Sequence, residues 1–212
     1  MKTDIHSIPE QHLSISEQHL RQRVLHWLKE NVSQSRIEHI LRVEDMSIAL
    51  AKQHGVSVSK AAQSGLMHDL AKFFKPKRLL EQARANGVDV DTVFEANPHL
   101  LHATVGAIVA RDEFGVGDRD ILDAIGNHTL GSPDMNPLSC IVFLSDSLEP
   151  GRGDSDELNT LRQLSFQNLD HAVWMTCDYT IQYLLGAKKL IHPRAIATRN
   201  WFLQSTKKAA VI

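Results

Sequence analysis

A histidine followed directly by an aspartate lies in an otherwise apolar stretch, Gly65-Leu66-Met67-His68-Asp69-Leu70-Ala71-Lys72. Burying an imidazole and a carboxylate is costly unless each has a partner. A divalent metal ion is a suitable partner, because neutral imidazole and carboxylate are both good ligands of first-row metals. Lys72 follows Asp69 by three residues, which places the two side chains on one face of a helix. The segment therefore predicts a metal site with an ammonium group beside it for an anionic substrate.

Four more residues of the same chemical kind lie on the apolar faces of other predicted helices; they are His39, His102, His128 and Asp146. A single histidine on an apolar face is more often a hydrogen-bonded core residue than a metal ligand. One shared metal centre explains the whole set better, because each buried polar side chain otherwise needs its own hydrogen-bond partner. Six imidazole and carboxylate ligands without a thiolate favour iron, manganese or another first-row divalent ion over a sealed structural zinc site.

Such a site could hold two metal ions that activate water against an anionic substrate. Two metal ions roughly 3.5–4 Å apart can hold a bridging hydroxide and clamp phosphate oxygens for an in-line displacement, so no covalent nucleophile is needed. Lys72 and Arg152 are the candidate cations for the phosphates, and the Arg152 guanidinium suits a bidentate contact. Thr129 and Gly131 could add a hydroxyl and a backbone N–H. The structural alternative for each of these residues is a helix-end or surface position.

Two residues near the candidate ligands have more than one interpretation. His99 precedes His102 by three residues and could protonate a leaving phosphate, but a surface position explains it equally well, so it is not included among the predicted catalytic residues. Glu149 could hydrogen-bond a ligand histidine, pair with Arg152, or lie in solvent.

Helical periodicity and capping residues predict an all-α protein. Capping boxes at Ser14–Glu17 and Ser35–Glu38 start two helices, and the second ends at Gly55. The next helix is predicted to begin near Ser59, to carry the His-Asp pair and to stop before Pro76. Further helices are predicted over residues 76–86, 98–113, 118–130, 138–148, 156–167, 170–190 and 193–203, with a loop or half-turn over 91–97. Alternating strand patterns and a strong linker are both missing, so a single domain is expected.

The domain is predicted to span residues 16–205, between a flexible leader over 1–15 and a tail over 206–212. With 212 residues, of which 42% are hydrophobic and 23% charged, the chain can form one well-buried core. Cys140 and Cys177 lie in apolar helical patterns and are expected to be reduced core residues.

The composition also limits the partners. The net charge of −2 gives no general attraction to nucleic acid or to anionic membranes, so no nucleic-acid polymer is expected as a partner. Apolar runs of the ~18 residues that a membrane span requires are missing. The polar stretch Met1–His19 has no apolar centre like that of a signal peptide. A soluble, cytoplasmic protein is therefore expected.

The order of the candidate ligands, H…HD…H…H…D on successive helices, resembles that of the HD-domain phosphohydrolases, and so implies their helical fold. The sequences around the ligands are Arg36-Ile37-Glu38-His39, His68-Asp69-Leu70-Ala71-Lys72, Leu101-His102-Ala103, His128-Thr129-Leu130-Gly131 and Asp146-Ser147-Leu148-Glu149-Pro150-Gly151-Arg152. Over roughly residues 35–199 they are similar to the YqeK-type symmetrical bis(5′-nucleosyl)-tetraphosphatases.

This resemblance implies an iron-type dinuclear centre that cleaves diadenosine tetraphosphate into two ADP molecules by attack of a metal-bound hydroxide. The residues that match the family's ligands of the first metal are His39, His68, Asp69 and Asp146. The second metal would share Asp69 with His102 and His128. Asp69 and Lys72 are then the expected catalytic residues.

Two alternatives stay open for the function. The first is an HD-domain phosphohydrolase that acts on another nucleotide, such as a nucleoside monophosphate, a dNTP or guanosine tetraphosphate. The second is a non-catalytic, metal-dependent nucleotide sensor. A homodimer is also left open.

Overall fold

The computed structural model describes residues 14–209, and within this range every regular element is helical. The α-helices are α1 (Ile15–Asn31), α2 (Gln34–His54), α3 (Val58–Met67), α4 (Pro76–Ala85), α5 (Thr92–Ala96), α6 (His102–Phe114), α7 (Arg119–Asn127), α8 (Pro137–Leu148), α9 (Asp156–Gln167), α10 (Leu169–Gly186) and α11 (Pro193–Ala209). Short 3-10 helices, Pro98–Leu101 and Pro150–Arg152, precede α6 and follow α8. The predicted all-α class is confirmed.

The predicted leader lies outside the described residues as far as residue 13, and residues 210–212 of the predicted tail also lie outside them. The domain bounds 16–205 therefore stay a prediction. None of the described helices is both long and apolar enough to cross a membrane.

Polar side chains determine where the first helices begin. The capping box at Ser14 is confirmed: its hydroxyl accepts from the Glu17 N–H, and the Glu17 carboxylate accepts from the Ser14 N–H at 2.8 Å. The box predicted at Ser35 is wrong. The cap is Ser33, whose extended backbone (φ −68°, ψ 156°) lets its hydroxyl accept from the Arg36 N–H, so that α2 begins directly after it.

Several helix ends differ from the prediction. Residues 92–96 of the predicted loop or half-turn form the short helix α5, because the Asp91 carboxylate accepts from the N–H groups of Val93 and Phe94. The helix predicted over 98–113 is divided into a 3-10 turn and α6. Near the end of the chain, α10 stops at Gly186 and α11 continues to Ala209. The predicted end of α2 at Gly55 is confirmed, with φ at +66°.

The His68-Asp69 pair does not lie within a helix, which corrects the prediction. In a continued helix the Gly65 carbonyl would accept from the Asp69 N–H, but here it accepts from Nδ1 of His68 at 2.7 Å. The chain then continues over residues 68–74 in tight turns, such as the 3.0 Å hydrogen bond from Lys72 N–H to the Asp69 carbonyl. The imidazole thus replaces a backbone donor at the end of α3.

Helix α8 lies in the centre of the fold, where α2, α3, α7 and α10 pack around it. Its residues 138–145 are all buried. Cys140 of this helix and Cys177 of α10 are both free and buried, as predicted. Burial raises the pKa of the Cys177 thiol to about 12. Both cysteines therefore serve as apolar core residues.

Helices α2 and α3 approach each other closely at a glycine. A Cβ atom on Gly65 would lie 2.9 Å from Cα and 3.2 Å from the backbone nitrogen of Glu44 in α2. Backbone atoms cannot move aside as the end of a flexible side chain can. The glycine therefore sets the distance between the helix that carries His39 and the segment that carries His68 and Asp69.

Gly65→Ala is expected to lower the free energy of unfolding by about 1–3 kcal/mol, because it overpacks the contact between α2 and α3. Urea denaturation followed by circular dichroism measures the effect. Gly126→Ala in α7 is the matched control, since its Cβ would meet only the Ala107 Cβ at 3.9 Å. The control should match the wild type or exceed it by up to about 1 kcal/mol through better helix propensity. A wild-type midpoint for Gly65→Ala would contradict the close-packing argument.

Candidate metal centre

The six predicted ligands come together at one place, each at or near the end of a helix. They are His39 near the start of α2, His68 and Asp69 after α3, His102 at the start of α6, His128 directly after α7, and Asp146 near the end of α8. All are buried except Asp146, whose side chain is 19% exposed. The atoms of His39, His68 and Asp146 that could bind a metal lie within 4.8 Å of one another. The same holds for those of His68, Asp69 and His128. Helices from across the sequence thus meet at a single polar cluster.

Each of the four histidines uses its Nδ1 atom in a hydrogen bond that points away from this cluster. The partners are the Gly65 carbonyl for His68 (2.7 Å), the His99 carbonyl for His102 (2.5 Å), the Ile125 carbonyl for His128 (2.8 Å) and the Glu149 carboxylate for His39 (3.0 Å). Carbonyl and carboxylate oxygens only accept, so every Nδ1 carries the proton. In the neutral form of each ring, Nε2 therefore presents a lone pair to the cluster.

These lone pairs lack sufficient hydrogen-bond donors inside the protein. His102 Nε2 lies 3.0 Å from His128 Nε2, a repulsive contact for two unprotonated nitrogens. The Nε2 atoms of His39 and His68 are buried and have no hydrogen-bond partner among the described residues. Buried acceptors without partners are costly, and a cation would satisfy all four together. The residues therefore fit a divalent metal, for which neutral imidazole and carboxylate are suitable ligands.

Asp69 lies between two groups of ligands. Its Oδ1 is 3.2 Å from His102 Nε2 and 3.7 Å from His128 Nε2. Its Oδ2 is 3.5 Å from His68 Nε2 and 3.9 Å from His39 Nε2. The second group also contains Asp146, whose Oδ1 is 3.1 Å from His39 Nε2. One carboxylate oxygen faces each group, which is the arrangement that a bridging ligand requires.

The pKa values within the cluster shift in both directions. Burial alone would lower the pKa of His39, but the neighbouring carboxylates of Asp146 and Glu149 raise it. Burial lowers the pKa of His128 to about 3, so its ring is neutral at neutral pH. Burial alone would raise the pKa of Glu149, but hydrogen bonds from His39 and Arg42 lower it to about 2. Glu149 therefore stays a carboxylate and keeps the Nδ1 proton of His39 directed toward it.

Of the four predicted substrate-binding residues, three line a cavity beside the cluster and one does not. Lys72, Thr129 and Arg152 line a cavity beside the cluster. Lys72 Nζ is 3.1 Å and Thr129 Oγ1 is 3.2 Å from His102 Nε2, while the Arg152 guanidinium binds Asp146. The cavity has a volume of about 320 Å³ and opens directly from the cluster.

Gly131 does not line this cavity. Its N–H donates to the Asn127 carbonyl at 2.8 Å, and a Cβ there would lie 2.5 Å from Cγ2 of Thr198. Its left-handed backbone (φ +64°) and its packing against α11 both favour glycine. A contact of Gly131 with phosphate stays a prediction.

His99 is exposed, and its carbonyl accepts from the His102 imidazole.

The HD domain family model matches residues 36–151, which contain all six residues of the cluster. The chain belongs to the HD domain family. The matched segment therefore contains every residue on which the resemblance to HD-domain proteins is based, while the ligand role of these residues stays a prediction.

Two relatives are similar to this chain over nearly the whole of their own length. A Bacillus subtilis (strain 168) protein named bis(5′-nucleosyl)-tetraphosphatase, symmetrical, is 32% identical over 186 residues, which cover 88% of this chain and 99% of the relative. A Halalkalibacterium halodurans protein of the same name is 33% identical over 187 residues, with the same shares covered. A crystal structure from Clostridium acetobutylicum, named a predicted HD superfamily hydrolase involved in NAD metabolism, has a TM-score of 0.83. It is 30% identical and covers 87% of this chain and 97% of its own.

Glu149 is the residue that orients His39 in this HD domain. It is almost fully buried and accepts from His39 Nδ1 at 3.0 Å, from Arg42 Nε at 2.5 Å and from the Gly151 N–H at 2.5 Å. Of the three interpretations of Glu149, the hydrogen bond to a histidine is the one that the structure contains. Its pairing cation is Arg42 and not Arg152.

Two arginines of the cluster were missing from the predicted site. Arg36 Nη1 donates to Asp69 Oδ2 at 3.0 Å, and Arg42 holds Glu149. They lie three residues before and three residues after His39 on α2. Because residues three apart share a helix face, this spacing alone could have identified both.

Glu149→Gln is expected to weaken binding of Mn²⁺ or Fe²⁺ by about 10–100-fold, because the amide no longer fixes the proton and the orientation of His39. Calorimetric titration of the metal-free protein measures the affinity. Glu157→Gln, at an exposed position of α9, is the matched control and should bind metal like the wild type. Unchanged metal affinity in the Glu149 variant would show that His39 needs no orienting carboxylate.

Proposed function

We propose that this HD domain is a metal-dependent hydrolase that cleaves diadenosine tetraphosphate symmetrically into two ADP molecules. The observation that carries the proposal is the convergence of four histidine Nε2 atoms on a central carboxylate, beside a cavity lined by Lys72 and Arg152. The two full-length relatives named as symmetrical tetraphosphatases, at 32% and 33% identity, support the choice of substrate.

The proposed metal ligands divide into two sets that share Asp69. One set consists of His39, His68, Asp69 and Asp146, and the other of Asp69, His102 and His128. Iron is the first choice of metal, and manganese or another first-row divalent ion also suits these ligands. When bound, two such cations lower the pKa of a water molecule to about 7 and offset the charge of phosphate oxygens.

The chain's own cations would bind and orient the substrate. Lys72 and Arg152 border the cavity next to the proposed ligands, so their side chains can contact phosphate oxygens. In the structure the Lys72 ammonium donates to His102 Nε2 at 3.1 Å. If that nitrogen held a metal, the ammonium would be free to donate to a phosphate instead. Thr129 would add a hydroxyl donor. Asp69, as the ligand that both sets share, would fix the position of one set relative to the other.

Product analysis tests the proposed reaction. Protein purified without oxygen and loaded with Fe²⁺ or Mn²⁺ should convert each diadenosine tetraphosphate into two ADP, measured by ion-exchange chromatography. ATP plus AMP as products would contradict symmetrical cleavage. Faster turnover of a nucleoside monophosphate, a dNTP or guanosine tetraphosphate would favour a different HD substrate. No turnover of any of them by fully metallated protein would favour a nucleotide sensor.

Asp69→Ala is expected to release both metals and to abolish turnover, because both ligand sets lose their shared carboxylate. Elemental analysis of the purified variant and product formation are measured together. Asp154→Ala, in an exposed turn, is the control and should keep metal and activity. Near-normal turnover of the Asp69 variant would refute the bridging role.

A further inference from the structure

The cavity beside the proposed metal centre has an apolar side that neither the metals nor the phosphate cations would use. Its polar end contains Lys72, His102, His128, Asp146 and Arg152. The remaining wall is largely aliphatic and aromatic; it is formed by Leu130, Phe143, Leu158, Ile181, Leu184 and Ala195. A cavity lined by both cationic and apolar side chains matches a ligand that combines phosphates with a flat organic ring.

Helix α10 supplies one face of this apolar side. Cys177, Thr180, Ile181 and Leu184 recur at spacings of three and four residues, so they lie along one helix face, and all four line the cavity. Ile181 and Leu184 are only half buried, because the cavity leaves part of each side chain uncovered. This helix carries none of the six proposed metal ligands. Its exposed apolar face toward the cavity is therefore not explained by the metal centre.

Hydroxyl groups line the same cavity and are free to bind a ligand. Ser147, Tyr179 and Thr180 make no side-chain hydrogen bond to any other described residue, and all three are in the lining. Such groups suit the ribose hydroxyls and the polar edge of a base, where an aliphatic wall alone would give no orientation.

The size of the cavity limits what it can hold. Its volume of about 320 Å³ is at the lower end of the roughly 300–1,000 Å³ found for sites that bury one drug-sized molecule. A dinucleoside tetraphosphate has two nucleosides and four phosphates and is much larger than that. This size suits one nucleoside with its phosphates and leaves no enclosed space for the second.

We propose that the α10 face formed by Thr180, Ile181 and Leu184 is a nucleoside-binding wall, and that it holds one of the two nucleosides of the substrate. The base packs against Ile181 and Leu184 while its phosphates extend toward Lys72 and Arg152. The other nucleoside stays in solvent. This inference rests on the proposed function for the identity of the substrate, but the wall itself can be tested with ADP alone.

The first test removes the wall and measures binding. Ile181→Ala combined with Leu184→Ala should weaken ADP binding to the Mn²⁺-loaded full chain by about tenfold in calorimetric titration. Binding of pyrophosphate, which has no nucleoside, should change less than about twofold by the same arithmetic. A double variant that binds ADP like the wild type would overturn the proposal, and so would an equal loss for ADP and pyrophosphate.

The matched control lies on the same helix. Tyr183 and Leu185 are 61% and 62% exposed and do not line the cavity. Tyr183→Ala combined with Leu185→Ala removes a similar apolar area from α10 and should leave ADP binding unchanged. An equal loss of ADP affinity in this control would assign the effect to the helix as a whole and contradict a specific wall.

The second test uses diadenosine tetraphosphate that carries a bulky fluorophore on one adenine or on both. The singly labelled compound should be cleaved at a rate within about threefold of the unlabelled one, a difference of less than 1 kcal/mol, since either end can enter the cavity. The doubly labelled compound should be cleaved at least tenfold more slowly. Strong inhibition by one label would show that both nucleosides are enclosed. Rapid cleavage of the doubly labelled compound would show that neither nucleoside is enclosed. Either result would contradict the proposal.

The two proposals fail in different ways. If wild-type protein produces no ADP from diadenosine tetraphosphate while ADP binding still depends on Ile181 and Leu184, the proposed function fails and the wall stands. If the wild type produces ADP while the wall variant binds ADP normally, the function stands and the wall is wrong.

Discussion

The structure depends on one electrostatic constraint, the direction of four imidazole lone pairs into a single buried volume. Each ring donates its Nδ1 proton outward to an oxygen that only accepts, so no ring can turn its proton inward without losing that bond. The volume also contains the carboxylates of Asp69 and Asp146. Arg36, Lys72 and Arg152 donate to some of these acceptors, but the buried Nε2 atoms of His39 and His68 have no hydrogen-bond donor among the described residues, which is costly without a bound cation. The fold therefore favours bound metal over an empty site.

The constraint also accounts for where the ligands lie. His68, His102 and His128 each donate to the carbonyl three residues earlier, and each of these carbonyls lies in the last turn of an α-helix or of the 3-10 helix before α6. Ligands at helix ends can approach one another more closely than ligands in the middle of packed helices. Glycines permit that approach: a Cβ on Gly65 would contact the α2 backbone, and one on Gly106 would lie 3.2 Å from the His68 carbonyl.

The residues of the cluster could be predicted from the sequence because buried histidines and aspartates on apolar helix faces are costly without a shared partner. The backbone around them was harder to predict. The end of α3 at Met67 depends on the His68 side chain taking the Gly65 carbonyl, and residue periodicity contains no information about that competition. The role of Gly131 depends on Thr198, which approaches it only after the chain has folded.

Crystallography of the Mn²⁺-loaded protein with anomalous scattering tests the central claim most directly. The account predicts two anomalous peaks per chain, one beside Oδ1 and one beside Oδ2 of Asp69, with all four histidines bound through Nε2. A histidine that binds metal through Nδ1, or saturating metal that leaves no peak beside Asp69, would contradict it.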